Sequence, residues 1–270
     1  MALSVNSNIA SLNSQRQLAR STNELNTSYQ RLSSGKRINS ARDDAAGLQI
    51  SSRLTSQVNG LNQGSRNAND AISLAQTAEG ALDEYTNTVQ RMRTLSVQAS
   101  NGSNTEADLV ALNTEYTELE LELDRVAAQA SFGGTDLLDG TYSANFQIGA
   151  DAGQTISISI TQNFSSGNIG AAGTITSFDG AQSRITDLDS VLATVNSTRA
   201  DLGAKQNRFS SVIRSNDNAA ENVSASRSRI EDTDYAAESA TLARNSVLQQ
   251  AASSMLAQAN QQPQIALSLL

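Results

Sequence analysis

The sequence predicts a mainly α protein: an elongated rod of long antiparallel coiled-coil helices drawn from both chain halves, with a small β-hairpin region between them. Three observations carry this expectation. Apolar residues recur every seven positions over long stretches, as in a coiled-coil seam. The 270 residues include one proline, Pro263, so helices can run far without interruption. Nine of sixteen glycines and four of five phenylalanines fall between Phe132 and Gly180, which sets that segment apart from the rest.

Taken in order, residues 3–33 place Leu18, Leu25 and Leu32 at seven-residue spacing. Residues of about 45–100 continue with Leu54, Leu61, Ala68, Ala75, Leu82 and Val89, flanked by Ala71, Ala78, Tyr85, Met92 and Ala99. As one helix that segment is about 85 Å long at 1.5 Å per residue. Asn101-Gly102 marks a turn, and Ser103-Asn-Thr-Glu106 reads as a capping box opening a third helix. That helix, about 104–129, follows a 3-4 alternation through Leu109, Leu112, Tyr116, Leu119, Leu123 and Val126. In 132–180, Ala144–Gly149 and Thr155–Ile160 alternate as a hairpin with Phe146, Ile148, Ile156, Ile158 and Ile160 on one face. Residues 181–229 resume the seven-residue series at Leu188, Val195, Leu202, Phe209, Asn216 and Val223, with Asn216 a polar break of the register-fixing kind. The last helix, about 235–260, is capped by Asp232 or Asp234, and Pro263 is expected to end it. From periodicity alone, an ordinary bundle whose heptads close only its own core is the other solution.

Composition excludes much chemistry. There is no His, Cys or Trp, hence no disulfide, no thiolate zinc site and no imidazole base. Net charge is −8, which disfavours nucleic acid as a partner. No stretch reaches the roughly 18 apolar residues of a membrane span. The acids Glu115, Glu118, Glu120, Glu122 and Asp124 are read as a solvated helix face, with no EF-hand loop nearby. Asp43-Asp44 is read as complementing a helix dipole. No phosphate loop and no HExxH occur. The expectation is no enzyme, no catalytic residue, no metal and no cofactor. Both ends are nearly uncharged: no ionisable side chain precedes Arg16 or follows Arg244. Such ends are expected to be buried against something. With no apolar h-region near the start, export by a route without a cleaved signal peptide is expected.

Several stretches resemble bacterial flagellin. They are Asn8-Ile-Ala-Ser-Leu12, Arg31-Leu-Ser-Ser-Gly-Lys-Arg-Ile-Asn39, Asp43-Asp-Ala-Ala-Gly47 and Gln90-Arg-Met-Arg-Thr-Leu-Ser-Val-Gln98 in the first half. The second half carries Leu202-Gly-Ala-Lys-Gln-Asn-Arg-Phe209, Ser228-Arg-Ile-Glu-Asp232, Asp234-Tyr235, Leu248-Gln-Gln-Ala251, Leu256-Ala-Gln-Ala-Asn260 and Leu267-Ser-Leu-Leu270. The resemblance covers roughly 1–140 and 181–270 and implies a short form without outer variable domains.

The resemblance implies a structural subunit that polymerises helically into the extracellular flagellar filament for motility, exported unfolded by the flagellar type III apparatus. It implies inner-tube (D0) helices at 1–44 and 230–270 and an outer-tube rod (D1) at 45–229. Polymerisation seams are assigned to Leu18, Leu25, Leu32, Leu248, Ala251 and Met255. Partners are further copies of the chain, an export chaperone, and the cap and hook-junction proteins. Neither nucleic acid nor membrane is a partner. Arg91, Leu95 and Glu115 match positions that the vertebrate Toll-like receptor for flagellin contacts on monomers. The alternative is a hook–filament junction protein, which shares the terminal patterns. Exposed hydroxyls such as Ser157, Ser159 and Thr161 are candidate O-glycosylation positions.

Overall fold

The computed structural model describes residues 7–268, with side-chain surroundings for 7–261. Residues 3–6 of the expected first helix, and Leu269 and Leu270, lie outside the described residues. Six helices and two hairpins follow in order: α1 (Ile9–Ser34), α2 (Ala45–Ala99), α3 (Glu106–Gln129), β1 (Ser131–Phe132), β2 (Thr135–Asp136), β3 (Tyr142–Gln147), β4 (Thr155–Ile160), α4 (Ser166–Ile169), α5 (Phe178–Glu231) and α6 (Tyr235–Ser268). The chain divides into two compact units, one of Met1–Ser56 with Asn222–Leu270 and one of Gln57–Glu221.

The Gln57–Glu221 unit holds the main core. The seven-residue series of α2 and α5 meet in it, with Ala68, Ala75, Leu82, Val89, Leu188, Val195, Leu202 and Phe209 all buried. The α2 flank of Ala71, Ala78, Tyr85, Met92 and Ala99 is buried too, and α3 adds Tyr116, Leu123 and Val126. Exposed rims carry ion pairs between α2 and α5, Arg93 with Asp189 at 2.6 Å and Arg199 with Asp83 at 3.0 Å. Tyr85 stands edge-on to Phe164, its ring centroid 5.7 Å away. Its hydroxyl is buried without a hydrogen-bond partner, and that burial pushes its ionisation well above the ordinary tyrosine value.

The hairpin pairs in the register Tyr142↔Ile160, Ala144↔Ile158 and Phe146↔Ile156. That puts the apolar members of both strands on one face, over the core. The first strand begins at Tyr142, two residues earlier than the alternation suggested. The segment after the second strand leans on α3. Tyr116 donates to the Ala171 carbonyl at 2.8 Å, and Asn113 Oδ1 accepts from the Ile175 amide at 2.9 Å. Asp124 accepts from the Ser166 amide at 2.7 Å and its hydroxyl at 2.9 Å. Asp124 is therefore a structural acceptor and not part of a solvated face, as Glu115 and Glu118 are.

The hairpin loop docks on α2 through two glycines one turn apart. A Cβ at Gly64 would lie 2.3 Å from the Ile148 carbonyl oxygen, and one at Gly60 would lie 2.8 Å from Ala150 Cα. Asn216 Nδ2 donates to the same Ile148 carbonyl at 2.7 Å, and Asn67 Nδ2 to Gln147 at 2.8 Å. Asn216 interrupts the apolar series because it serves the hairpin, not a partner helix.

Three further expectations are corrected. The capping box of α3 is Thr105 with Asp108, not Ser103 with Glu106. Asn101 and Asn104 spend two more residues on the turn, where Asn104 Nδ2 donates to the Gln98 carbonyl at 2.7 Å. The second correction adds a tight hairpin, β1–β2, closed by Gly133 and Gly134 at φ 60° and 84°, the two left-handed positions of a primed turn. The third concerns Pro263, which does not end α6; the helix runs on to Ser268.

Candidate functional site

Chemistry-bearing features are sparse. Among the described residues no group of acidic side chains could hold a metal ion, and no helix is long and apolar enough to cross a membrane. Two shallow depressions lie on the described surface, one beside Thr105, Glu106, Ala107 and Val110, another along Ser159–Gln162 and Ser197, Thr198 and Asp201. Three arrangements stand out instead.

The first is the pairing of α1 with α6. On α1 the inward stripe is Ser11, Leu18, Ser21, Leu25, Ser28 and Leu32, at 3-4 spacing. On α6 it is Glu238, Leu242, Asn245, Gln249, Ala252, Leu256 and Ala259, with Asn245, Ala252 and Ala259 buried. The seam alternates leucines with serine, alanine and amide side chains. Thr22 accepts from Gln249 Nε2 at 3.2 Å across the seam. Leu18, Leu25 and Leu32 are thus used within the chain. Leu248, Ala251 and Met255 are not on this stripe; Leu248 is 40% exposed and Met255 64%. With Val247 they leave α6 an apolar outer surface, as Ile9, Leu12 and Tyr29 do for α1.

The second is the junction around Arg31–Asn39. Gly35, at φ 71°, closes α1 in the left-handed conformation that favours glycine. Its carbonyl accepts from the Thr233 amide at 3.0 Å. Arg37 then caps the end of α5, donating its amide to the Glu231 carbonyl at 2.6 Å and Nη2 to the Ile230 carbonyl at 2.7 Å. The Glu231 side chain takes an ion pair from Lys36 and a hydrogen bond from Ser51. Asp44 accepts from the Gly47 amide at 2.8 Å as α2 starts, and Asp234 from the Ala236 amide at 2.9 Å as α6 starts. In the sequence Glu231 stands in an acidic run with Asp232 and Asp234, and nothing there singles it out for Lys36 and Ser51.

The Lys36 and Ser51 hydrogen bonds hold the Glu231 carboxyl below its ordinary value of 4.5. A depressed carboxylate contributes its stabilisation in full above that ordinary value and loses it as pH falls through the lower folded-state value. The junction is therefore expected to loosen on acidification. Protection of the Arg37 and Thr233 amides, measured against their intrinsic exchange rates from about pH 6 to about pH 3, should fall more steeply in the native chain than in Glu231→Gln.

The third is the Arg91–Glu115 pair. Arg91 on α2 meets Glu115 on α3 at 2.5 Å, with both side chains about half exposed. Leu95 is not beside them on the surface; it is 1% exposed and belongs to the core. Arg91 and Leu95, four residues apart on α2, therefore do not share an exposed face: Arg91 pairs with Glu115 on the surface, and Leu95 is buried in the stripe that contains Met92 and Ala99.

These features define a helical structural protein built to pack against other chains. Residues 5–143 match the model for the bacterial flagellin N-terminal helical region, and 180–270 that for the C-terminal helical region. Flagellin D of Vibrio cholerae is 40% identical over 376 aligned residues, covering 100% of both chains. Polar flagellin F of Vibrio parahaemolyticus is 38% identical with the same coverage. Both alignments are longer than this chain, so the relatives carry insertions that it lacks. The crystal structure of Bacillus cereus flagellin superposes with a TM-score of 0.51 at 30% identity, covering 56% of this chain and 88% of that one. A putative flagellar hook-associated protein from Vibrio parahaemolyticus gives 0.60 at 14% identity over 70% of this chain and 100% of that one, a likeness of fold alone. The chain belongs to the bacterial flagellin family. It is a structural subunit of the flagellar filament, not an enzyme, and its principal partner is itself.

Proposed function

We propose that this flagellin leaves the cell unfolded through the flagellar type III apparatus, assembles outside it, and is recognised as a monomer by the vertebrate Toll-like receptor for flagellin. On this reading 1–44 and 230–270 form the inner tube and 45–229 the outer tube. An export chaperone and the cap and hook-junction proteins attend assembly. Absence of cysteine suits threading, since no disulfide can lock the chain. The outward Leu248, Ala251 and Met255 supply the polymerisation seam of α6, while Leu18, Leu25 and Leu32 order α1 against it. Head-to-tail contacts that do not close into a ring extend into a filament.

The observation that carries the receptor reading is the exposed Arg91–Glu115 pair, a fixed guanidinium and carboxylate spanning two helices. Exposed pairs of this kind contribute about 0–1 kcal/mol to stability. Arg91→Ala is therefore expected to leave thermal unfolding within that range while sharply reducing the response of receptor-bearing reporter cells to monomer. An undiminished response would end the assignment. Leu95→Ala is unsuitable for this test, because it would open a cavity in the core.

A further inference from the structure

We propose that Asn8 and Pro263 form a clasp that makes the last turns of α6 conditional on the docking of α1. In an unbroken helix the carbonyl of Ala259 accepts from the amide of residue 263. Proline has no amide hydrogen, so this carbonyl loses its regular donor four residues on. Ala259 also lies on the buried stripe facing α1. The missing donor comes from the other end of the chain: Asn8 Nδ2 donates to the Ala259 carbonyl at 2.7 Å. The same side chain caps α1, its Oδ1 accepting from the Ser11 amide at 3.1 Å. The Ser11 hydroxyl then donates to Asn260 Oδ1 at 2.7 Å, one residue further along α6.

One side-chain amide thus completes two helices at once. Its acceptor half starts α1, and its donor half bridges the proline break in α6. Without α1, the turn of α6 around Ala259 lacks a backbone hydrogen bond. Without α6, Asn8 caps only its own helix. Pro263 therefore removes autonomy from the C-terminal helix, and Asn8 restores it only in the correct pairing and register. This explains why a helix can tolerate the proline in its interior, and it assigns Asn8 a positioning role in assembly.

The test is a cycle on the full-length chain, read as the critical concentration for filament growth in vitro. Asn8→Asp keeps the cap acceptor and removes the donor. It should raise the critical concentration about tenfold, the usual scale for an abandoned buried carbonyl. Pro263→Ala returns the helical amide. In that background Asn8→Asp should change the critical concentration by less than about twofold, the signature of coupled positions. Because Asn8→Asp adds a charge, Asn8→Ser, which caps but is too short to reach Ala259, is measured in both backgrounds as well. Equal penalties in the two backgrounds overturn the proposal. So does no penalty beside Pro263, or loss of assembly by both substitutions regardless of residue 263.

Discussion

A chain ending at Arg244, and so lacking Asn245–Leu270, is expected to keep the Gln57–Glu221 unit folded and to form no filaments. The deleted segment supplies Asn245, Gln249, Ala252, Leu256 and Ala259, most of the surface against which α1 closes. It also carries Val247, Leu248 and Met255, the apolar residues that α6 turns outward. What is left of α1 is a 26-residue helix whose seam is half serine, without its partner. An isolated helix of that composition is marginal in water, because nucleation is costly and packing supplies most helical stability. No residue of the main core lies in the deleted segment. Circular dichroism should therefore retain a cooperative melt for the remaining helices, while sedimentation and electron microscopy find only monomer. Filaments of normal length from this chain would refute the assignment of assembly to the terminal pair.

Phe209→Ala is expected to destabilise the Gln57–Glu221 unit by about 3–5 kcal/mol. Phe209 is fully buried on α5 and stands edge-on to Phe146 of the hairpin, with ring centroids 5.9 Å apart. Truncation would remove the ring interaction as well as the apolar area, and the hairpin bonds to Asn216 and Asn67 would oppose collapse of the void. Denaturant unfolding gives the stability directly. Near-unchanged stability would mean that the hairpin closes over the gap, and that the face it presents is softer than its register implies.

Legibility in the sequence followed a physical rule. Where one helix buries one stripe, periodicity named the residues: all six of Ala68, Ala75, Leu82, Ala71, Ala78 and Tyr85 are in the core. Strand β4 was legible for the same reason, since period-two alternation fixes a face. Leu248, Ala251 and Met255, grouped with the α1 leucines as seam residues, lie off the stripe that faces α1, and α6 is alanine-rich on several sides. Apolarity then does not distinguish the inward stripe from the outward one. The true stripe is marked by Asn245 and Gln249, polar residues that the hydrophobic pattern discounts. Asn216 posed the same difficulty, as its partner is a carbonyl some seventy residues away in sequence. Pro263 was read by its local cost, and that cost is offset from the opposite end of the chain. Leu95 was placed by resemblance beside an exposed neighbour, although i and i+4 positions on a half-buried helix can differ entirely in burial. Glu231 carried no periodic signal, and only the fold brings it to Lys36 and Ser51.

The mixed composition of the α1–α6 seam has a calorimetric consequence. Ser, Ala, Asn, Gln and Glu hold eight of its thirteen inward positions, so closing it should contribute less to the heat capacity of assembly than a seam of leucines alone. On the proposed assembly, covering the outward Val247, Leu248 and Met255 with neighbouring copies adds a further negative heat-capacity change. On that reading assembly strengthens with warming over the range where apolar burial does, and contacts between chains add to the temperature dependence of the terminal pair.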